Sequence, residues 1–268
     1  MFACNVDVMP LHVAALYVHP IKACAPLSVP RIDFLPDGRI DGDREWAVLN
    51  DEGVASWQGA HPRLALLQAR FEGAELVLQA PGLPELRLPR HLHESPGQAG
   101  FWNEKTCSVD HFEAFDAGNA AAGLLSVLCG AQLRLARVSA AAILRPLNNA
   151  VHIVGRPSLA EIDAGLDERR FRANVVLDGP DLLPFMEDHA RALSWPGGRL
   201  ELYAPCVRCI VPDVDPVTAE VDGSVGMRVA AASAQRKPGG PSCLGVYGRV
   251  QSGSSLELGV PVELELDF

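Results

Sequence analysis

The run RLELYAPCVRCIVPDV, residues 199–214, sets two thiols, Cys206 and Cys209, around Arg208 and between two strand-like segments, Arg199–Ala204 and Ile210–Val214. Thiols spaced this way can ligate a soft metal, cycle through a disulfide, or sit as buried structural cysteines. A thioredoxin-like redox pair needs a helix starting at the first cysteine, because the helix dipole lowers the attacking thiol's pKa. Ile210-Val211-Pro212 follows instead and reads as strand, which argues against that use. A structural zinc site needs four soft ligands. The chain has no second C-x-x-C, and Cys243 stands alone. The stretch therefore reads as the edge of a β structure carrying a thiol pair.

Working outward, strand signals dominate. Leu11–His19, Val29–Phe34, Arg44–Leu49, Val54–Trp57, Leu64–Phe71, Leu76–Gln79 and Leu86–Leu88 are short apolar runs separated by turn residues such as Pro36-Asp37-Gly38 and Asn50-Asp51-Glu52-Gly53. Such regular spacing predicts a small β-barrel or sandwich over residues 11–90. The polar stretch Pro89–Gly100 reads as a linker or crossover loop, with 91–115 joining two units. Residues 116–266 form the second unit. Asn119–Leu128, ending at Cys129-Gly130, is predicted helical, since glycine suits the position after a last turn. Ser158-Leu159-Ala160-Glu161 has capping-box spacing and predicts a second helix from Ser158 to about Leu166. Met186–Leu193 is expected as a short helix and Ala230–Ser242 as a flexible loop. Thr106–Phe115, Leu133–Val138, Asn174–Asp178, Arg199–Ala204, Cys209–Val214, Val246–Val250, Ser255–Leu258 and Val262–Leu266 are expected strands. The fold class is mainly β with a few helices: a small N-terminal β-barrel packed on a larger C-terminal one.

Composition narrows the function. Hydrophobic residues make up 48% of the 268, enough for a sizeable core. The net charge of −10 argues against nucleic-acid binding, which needs a basic face. Seven cysteines without a dense framework fit a reducing cytoplasm. The N-terminus lacks a basic, apolar leader, and no run reaches the length of a membrane span, so no membrane partner is expected. No G-x-S-x-G, Walker loop or G-x-G-x-x-G is present. His91 and His93 read as solvated. Glu187-Asp188 before His189 could serve as acid/base groups, and a carboxylate-rich helix start explains them equally well.

Lys22, Arg44, Arg172 and Arg208 fall at strand ends. Arginine forks match phosphate and carboxylate, so such positions could hold an anion, although spacing alone does not bring them together. Their context does carry a resemblance. His19-Pro20-Ile21-Lys22 and Asp43-Arg44-Glu45-Trp46 resemble the N-terminal β-barrel domain that precedes a MOSC domain. Phe171-Arg172-Ala173-Asn174-Val175-Val176, Phe185-Met186-Glu187-Asp188, Cys206-Val207-Arg208-Cys209, Val214-Asp215-Pro216-Val217-Thr218 and Leu244-Gly245-Val246-Tyr247 resemble the MOSC domain itself.

That family includes the amidoxime-reducing component and bacterial molybdoenzymes that detoxify hydroxylaminopurines. The resemblance implies a molybdenum cofactor, a pterin dithiolene with a phosphate. It implies Cys209 as the protein's thiolate ligand and Lys22, Arg44 and Arg172 on the anionic parts of the cofactor. Arg208 lies within the motif, and Asn174 and Tyr247 fall near the metal. The implied activity is reduction of N-hydroxylated or N-oxygenated compounds, with electrons from a separate protein of flavoprotein reductase or ferredoxin type. A sulfur carrier holding a persulfide, or a cofactor-binding module without reductase activity, is the alternative. Two departures stand out: Ala23 where the family has serine, and Val260 where it has aspartate.

Overall fold

The computed structural model describes residues 10–145 and 148–267. In chain order the strands of the first part are β1 (His12–Val18), β2 (Ile21–Lys22), β3 (Leu27–Ser28), β4 (Arg31–Asp33), β5 (Trp46–Leu49), β6 (Gln68–Glu72), β7 (Glu75–Gln79), β8 (Leu86–Pro89), β9 (Pro96–Asn103) and β10 (Ser108–Asp116). Helix α1 (Asn119–Cys129), β11 (Arg134–Val138) and the single turn α2 (Ala140–Ile143) follow. The remainder is β12 (Val151–Gly155), α3 (Arg156–Asp163), β13 (Val175–Asp178), β14 (Ala190–Trp195), β15 (Gly198–Val207), α4 (Ser224–Arg236), β16 (Cys243–Ser252), β17 (Ser255–Glu257) and β18 (Glu263–Leu266).

The larger sheet has eight strands in the order β18-β14-β15-β16-β12-β13-β1-β3. Residues 259–262, just ahead of β18, bond back to Leu11 and Val13 and close the ring: the Val13 amide donates to the Val260 carbonyl at 3.1 Å and that of Gly259 to Val13 at 2.8 Å. Strands β12 and β13 run parallel and are buried on both faces. Ile153, Val175 and Leu177 point into the barrel core, while Val154 and Val176 pack under α3 and α4 with Leu159, Val225 and Val229. The alternation is the two-residue period of a strand covered on both sides.

The smaller unit is a five-stranded sheet, β2-β5-β11-β10-β9, with the β6-β7-β8 sheet and α1 packed over its core of Ile21, Trp46, Leu64, Leu76, Leu125 and Leu135. The chain crosses between the units at once. β1 lies in the large sheet between β13 and β3, and three residues later β2 lies beside β5 in the small one. His19 and Pro20 make that passage, so Lys22 is delivered to the junction.

Several expectations change. Pro89–Gly100 is no linker: β9 starts at Pro96 and pairs with β10 along its full length. Cys209–Val214 is not a strand; Val211–Asp213 is a turn of 3-10 helix, with Pro212 supplying a helix-compatible φ. Leu64–Phe71 likewise begins as 3-10 helix over Pro62–Leu66. Met186–His189 is a single 3-10 turn and Ala190–Trp195 is strand, paired with β15. Half of the expected loop at Ala230–Ser242 is α4, anchored by buried Val225, Val229 and Ser233 at helical spacing. Ser158 does not cap α3. The helix starts at Arg156, and the Ser158 hydroxyl donates to Glu187 at 2.8 Å inside the protein. Strand β12 carries no expectation from sequence, yet it is central.

Candidate functional site

Functional side chains gather at one end of the large barrel, where it meets the small one. β15 delivers Cys206 at its last turn outward, with Arg208 and Cys209 just beyond. β16 brings Tyr247, and β12 brings His152, which sits opposite Tyr247 in register. The turn before β13 brings Arg172 and Asn174, and the crossover from β1 brings His19 and Lys22. Register slips at Leu202/Ala204 and Pro205/Val207 kink β15 against β16. Bulges of this kind re-aim side chains at a barrel rim. Gly245 makes the close approach possible: its φ is +76°, and a Cβ there would stand 2.5 Å from the Ile153 carbonyl and 2.6 Å from His152 Nε2.

The two thiols differ sharply. Cys206 is 2% exposed, and Arg208 Nη1 donates to its sulfur at 3.0 Å. Burial pushes its pKa up, but the neighbouring His152 and Arg208, with the Tyr247 hydroxyl facing it, pull it down further, to about 5. Cys206 is thus a buried thiolate at neutral pH, held by positive partners. Burial and that negative sulfur push Tyr247 well above the usual phenol range, so its hydroxyl stays protonated. Cys209 is exposed, flanked by Val207 and Ile210, which are 57% and 49% exposed. Cys209 is the thiol open to a ligand.

The cations do converge. Burial lowers the Lys22 pKa to about 8, helped by Arg145, Arg172 and Arg44 and opposed by Cys209. Burial likewise lowers that of Arg172 to about 10, with Arg44 and Arg208 adding to the effect. Lys22 Nζ donates to the Ser56 carbonyl at 3.3 Å, and Arg172 donates to the Cys24 carbonyl. Arg208 also donates to the Phe171 carbonyl at 2.9 Å. Among the described residues the only ion pair made by Lys22, Arg44, Arg172 or Arg208 is that of Arg44 with Asp43. The site holds a surplus of partly buried positive charge.

Asp43 ties the junction together. Its Oδ1 accepts from the His19 amide at 2.6 Å and from Asn174 Nδ2 at 3.4 Å, while its other oxygen pairs with Arg44. Asn174 is wholly buried. Its Oδ1 accepts from the His152 amide at 3.2 Å, and its Nδ2 donates to the Tyr17 carbonyl at 3.1 Å. The amide is therefore occupied in joining β1 to β12 rather than presented to solvent. Ala23, Arg44 and Arg172 all adopt left-handed backbone, with φ of 71°, 54° and 55°. Non-glycine residues in that region cluster at sites where geometry matters more than stability.

Sequence reasoning missed His152, Asp43 as a tie, and Arg145. A histidine in an unrecognised strand gave no signal, and Arg145 sits in a stretch with no motif. Glu187 is not an acid/base group: it is buried and accepts from the Gly155 amide at 3.0 Å and from Ser158.

Among the described residues no three His, Cys, Asp or Glu side chains are arranged to hold a metal ion by themselves. A metal here would have to bring most of its own donors, as a dithiolene does, and take one soft thiolate from the chain. The cation surplus fits an anionic group beside that thiolate. His19 Nδ1 and Arg208 Nε are buried without a partner among the described residues, leaving polar capacity at the junction. The residues present therefore fit the implied cofactor. A groove of about 770 Å³ lies on the small barrel between Asn50, Gln98, Asp116 and Arg134 and has no thiol or histidine in its lining. No described helix is long and apolar enough to cross a membrane.

Known proteins resemble this chain over most of its length. The chain is 25% identical over 252 residues to the molybdenum cofactor sulfurase of Bos taurus, which covers 80% of this chain but only 28% of that protein. It is 26% identical over 281 residues to mitochondrial amidoxime reducing component 2 of Bos taurus, covering 93% of this chain and 82% of that one. The human mitochondrial amidoxime-reducing component 1 is 25% identical over 283 residues. The crystal structure of the YUAD protein from Bacillus subtilis superposes with a TM-score of 0.49 at 14% identity, over 96% of this chain and 97% of that one. Family models of the MOSC N-terminal beta barrel domain and of the MOSC domain match residues 11–132 and 129–263, so this chain belongs to the MOSC family and carries both of its domains.

Proposed function

We propose that this protein is a cytoplasmic, molybdenum-cofactor-dependent oxidoreductase that reduces N-hydroxylated or N-oxygenated compounds. The observation that carries the reading is the exposed Cys209 thiol beside Lys22, inside a set of cations with a single carboxylate among them. Bound there, the cofactor would supply the two-electron chemistry that removes oxygen from nitrogen. Cys209 would give the metal its protein thiolate. Lys22, Arg44, Arg172 and Arg208 would neutralise the pterin phosphate and neighbouring polar groups, since charge-assisted bonds to arginine are the strong ones. Asn174 and Asp43 position the cations by fixing the crossover. Tyr247 keeps its proton beside Cys206 and can donate a hydrogen bond toward the site.

The net reaction balances as R–NH–OH plus two electrons and two protons giving R–NH2 and water. The electrons come from a separate redox protein of flavoprotein reductase or ferredoxin type. The substrate is a small molecule that reaches the exposed Cys209 thiol.

Elemental analysis tests this on protein made in a cofactor-competent host. Wild type should carry about one molybdenum per chain and reduce benzamidoxime with a chemical electron donor. Cys209→Ala should lose the reduction entirely, and Cys206→Ala should keep a fraction of it. Equal activity of wild type and Cys209→Ala would remove the ligand assignment. The similarity to cofactor sulfurases favours a second reading, a persulfide carried on Cys209. Cyanide-labile sulfur without molybdenum would support that instead.

A further inference from the structure

We propose that Arg145 is a substrate-facing cation that grips an oxyanion, a carboxylate or a phosphate, on the far side of the N-hydroxylated compound from its reacting nitrogen. The inference rests on the reductase reading for the identity of the reacting end.

Arg145 lies just past α2, on the short passage from the small barrel to the large one. Its guanidinium stacks over Phe101 at 4.1 Å and stands 5.6 Å from the Phe112 ring. Its Nε donates to the Ala142 carbonyl at 3.0 Å. The two Nη groups have no hydrogen-bond partner and no carboxylate within salt-bridge distance among the described residues; Asp110 acts on the guanidinium from farther off. A stacked, one-point-anchored guanidinium keeps its outer fork pointed and ready, which suits a planar oxyanion.

A chain of contacts leads from Arg145 to Lys22. Phe101 follows Gly100, whose carbonyl accepts from the Ala55 amide at 2.7 Å; the next carbonyl, that of Ser56, receives Lys22 Nζ at 3.3 Å. Trp57 follows and is 40% exposed, while Leu144, beside Arg145, is 42% exposed. Arg145, with Arg172 and Arg44, is among the charges that lower the Lys22 pKa. Arg44, Arg172 and Arg208 act on one another around Asp43 and Cys206. Arg145 reaches toward Lys22 from the small-barrel side, through Phe101, Ala55 and Ser56, with exposed apolar and aromatic side chains on the same segments. This arrangement suits a compound with a flat or apolar body that reaches Cys209 at one end and Arg145 at the other.

The test compares benzamidoxime, 4-carboxybenzamidoxime and 4-phosphonooxybenzamidoxime on molybdenum-loaded wild type, Arg145→Gln and Arg145→Lys. Wild type should prefer at least one of the two anionic compounds, and which one is preferred identifies the oxyanion. Arg145→Gln should raise KM for that compound about tenfold, with kcat, the KM of benzamidoxime and the molybdenum content unchanged. Arg145→Lys should recover part of the loss. An equal loss on all three compounds, a fall in molybdenum content, or no anionic preference in wild type would overturn the proposal. Calorimetry with 4-carboxybenzamide and 4-phosphonooxybenzamide, which have no N–O bond to reduce, reads the same contact without turnover. If wild type reduces none of the amidoximes, the reductase reading fails and calorimetry decides alone. Binding that disappears in Arg145→Gln then supports the oxyanion grip, and absence of binding to wild type overturns it.

Discussion

Two arginine-rich regions of this molecule treat charge in opposite ways. On the outer face of the β6-β7-β8 sheet, Arg70 and Arg87 pair with Glu72, Glu75 and Glu85 at 2.6–3.0 Å. Water screens those pairs, and every cation has a carboxylate. At the junction of the barrels, Lys22, Arg44, Arg172 and Arg208 share one ion pair, that of Arg44 with Asp43. Like charges brought together out of water cost several times what they cost on the surface. A fold tolerates that only where the imbalance is used. The difference locates the site without reference to any motif.

Backbone geometry separates the same two regions, and the largest expected effect comes from it. Gly73, in the β6–β7 turn, has φ +60° and nothing within 4 Å of an added Cβ, whereas Gly245 has φ +76° and a carbonyl at 2.5 Å. Gly73→Ala should cost only the left-handed penalty, about 1 kcal/mol. Gly245→Ala adds a clash with Ile153 and His152 and should cost about 3 kcal/mol or more. Chemical denaturation of both variants measures the gap; equal losses would show that the β12–β16 approach is not tight.

Next in size is Arg172→Met, which separates stability from ligand binding. The substitution removes one hydrogen bond to Cys24, worth about 1 kcal/mol. It also removes a buried cation from the reach of Arg44, Lys22 and Arg208. The cofactor-free protein should melt a few degrees higher than wild type, while molybdenum content after purification should fall about tenfold. The same exchange at Arg87 should change neither. A cofactor-free Arg172→Met that melts lower than wild type would mean that the junction charge is not in surplus.

The pH dependence follows with a smaller amplitude. The folded Cys206 thiol loses its proton near pH 5, against 9.0 for an ordinary thiol, so the unfolded chain binds more protons between those values. Stability from this group is therefore full above about pH 9 and is lost as pH falls through 5. Lys22 works in the same sense. With its pKa at about 8 against 10.5, its charge penalises the folded state below pH 8 and is relieved as pH rises toward 10.5. Melting temperatures of wild type minus those of Cys206→Ser should thus grow from pH 5 to 9. Pyrophosphate should flatten the Lys22 part by supplying the missing negative charge. A difference independent of pH would show that Cys206 is an ordinary thiol.

How much of this was legible beforehand divides along the same physical line. Short apolar runs bounded by turn residues, such as β7, and the alternating run of β11 were visible, because both are local properties. So were the strand-end positions of Lys22, Arg44, Arg172 and Arg208. Their convergence was not legible from spacing, since it depends on β1 and β2 belonging to different sheets; only the family resemblance supplied it. Helix α4 was hidden because Gly223, Gly226 and the serines around Val225 and Val229 mimic loop composition. The Ile210–Asp213 turn was hidden because β-branched residues favoured a strand while Pro212 favoured the tight turn that forms. The contrast between Cys206 and Cys209 was invisible, because it is made by His152 and Tyr247 on two other strands.

The smallest expected effect tests the quiet half of the comparison. Arg87→Ala removes contacts to Glu72, Glu75 and Glu85 together, more ion pairs than any other single change in the described chain would remove. Both sides of each pair are more than a third exposed, so solvent already screens the attraction, and ordering four long side chains offsets what is left. Melting temperature should move by about 1 °C or less, and raising the salt concentration should leave even that difference smaller. A large destabilisation at Arg87 would show that these surface pairs cooperate as a network. Charge balance on the outer sheet would then be structural in its own right, and the contrast with the junction would no longer single out a ligand site.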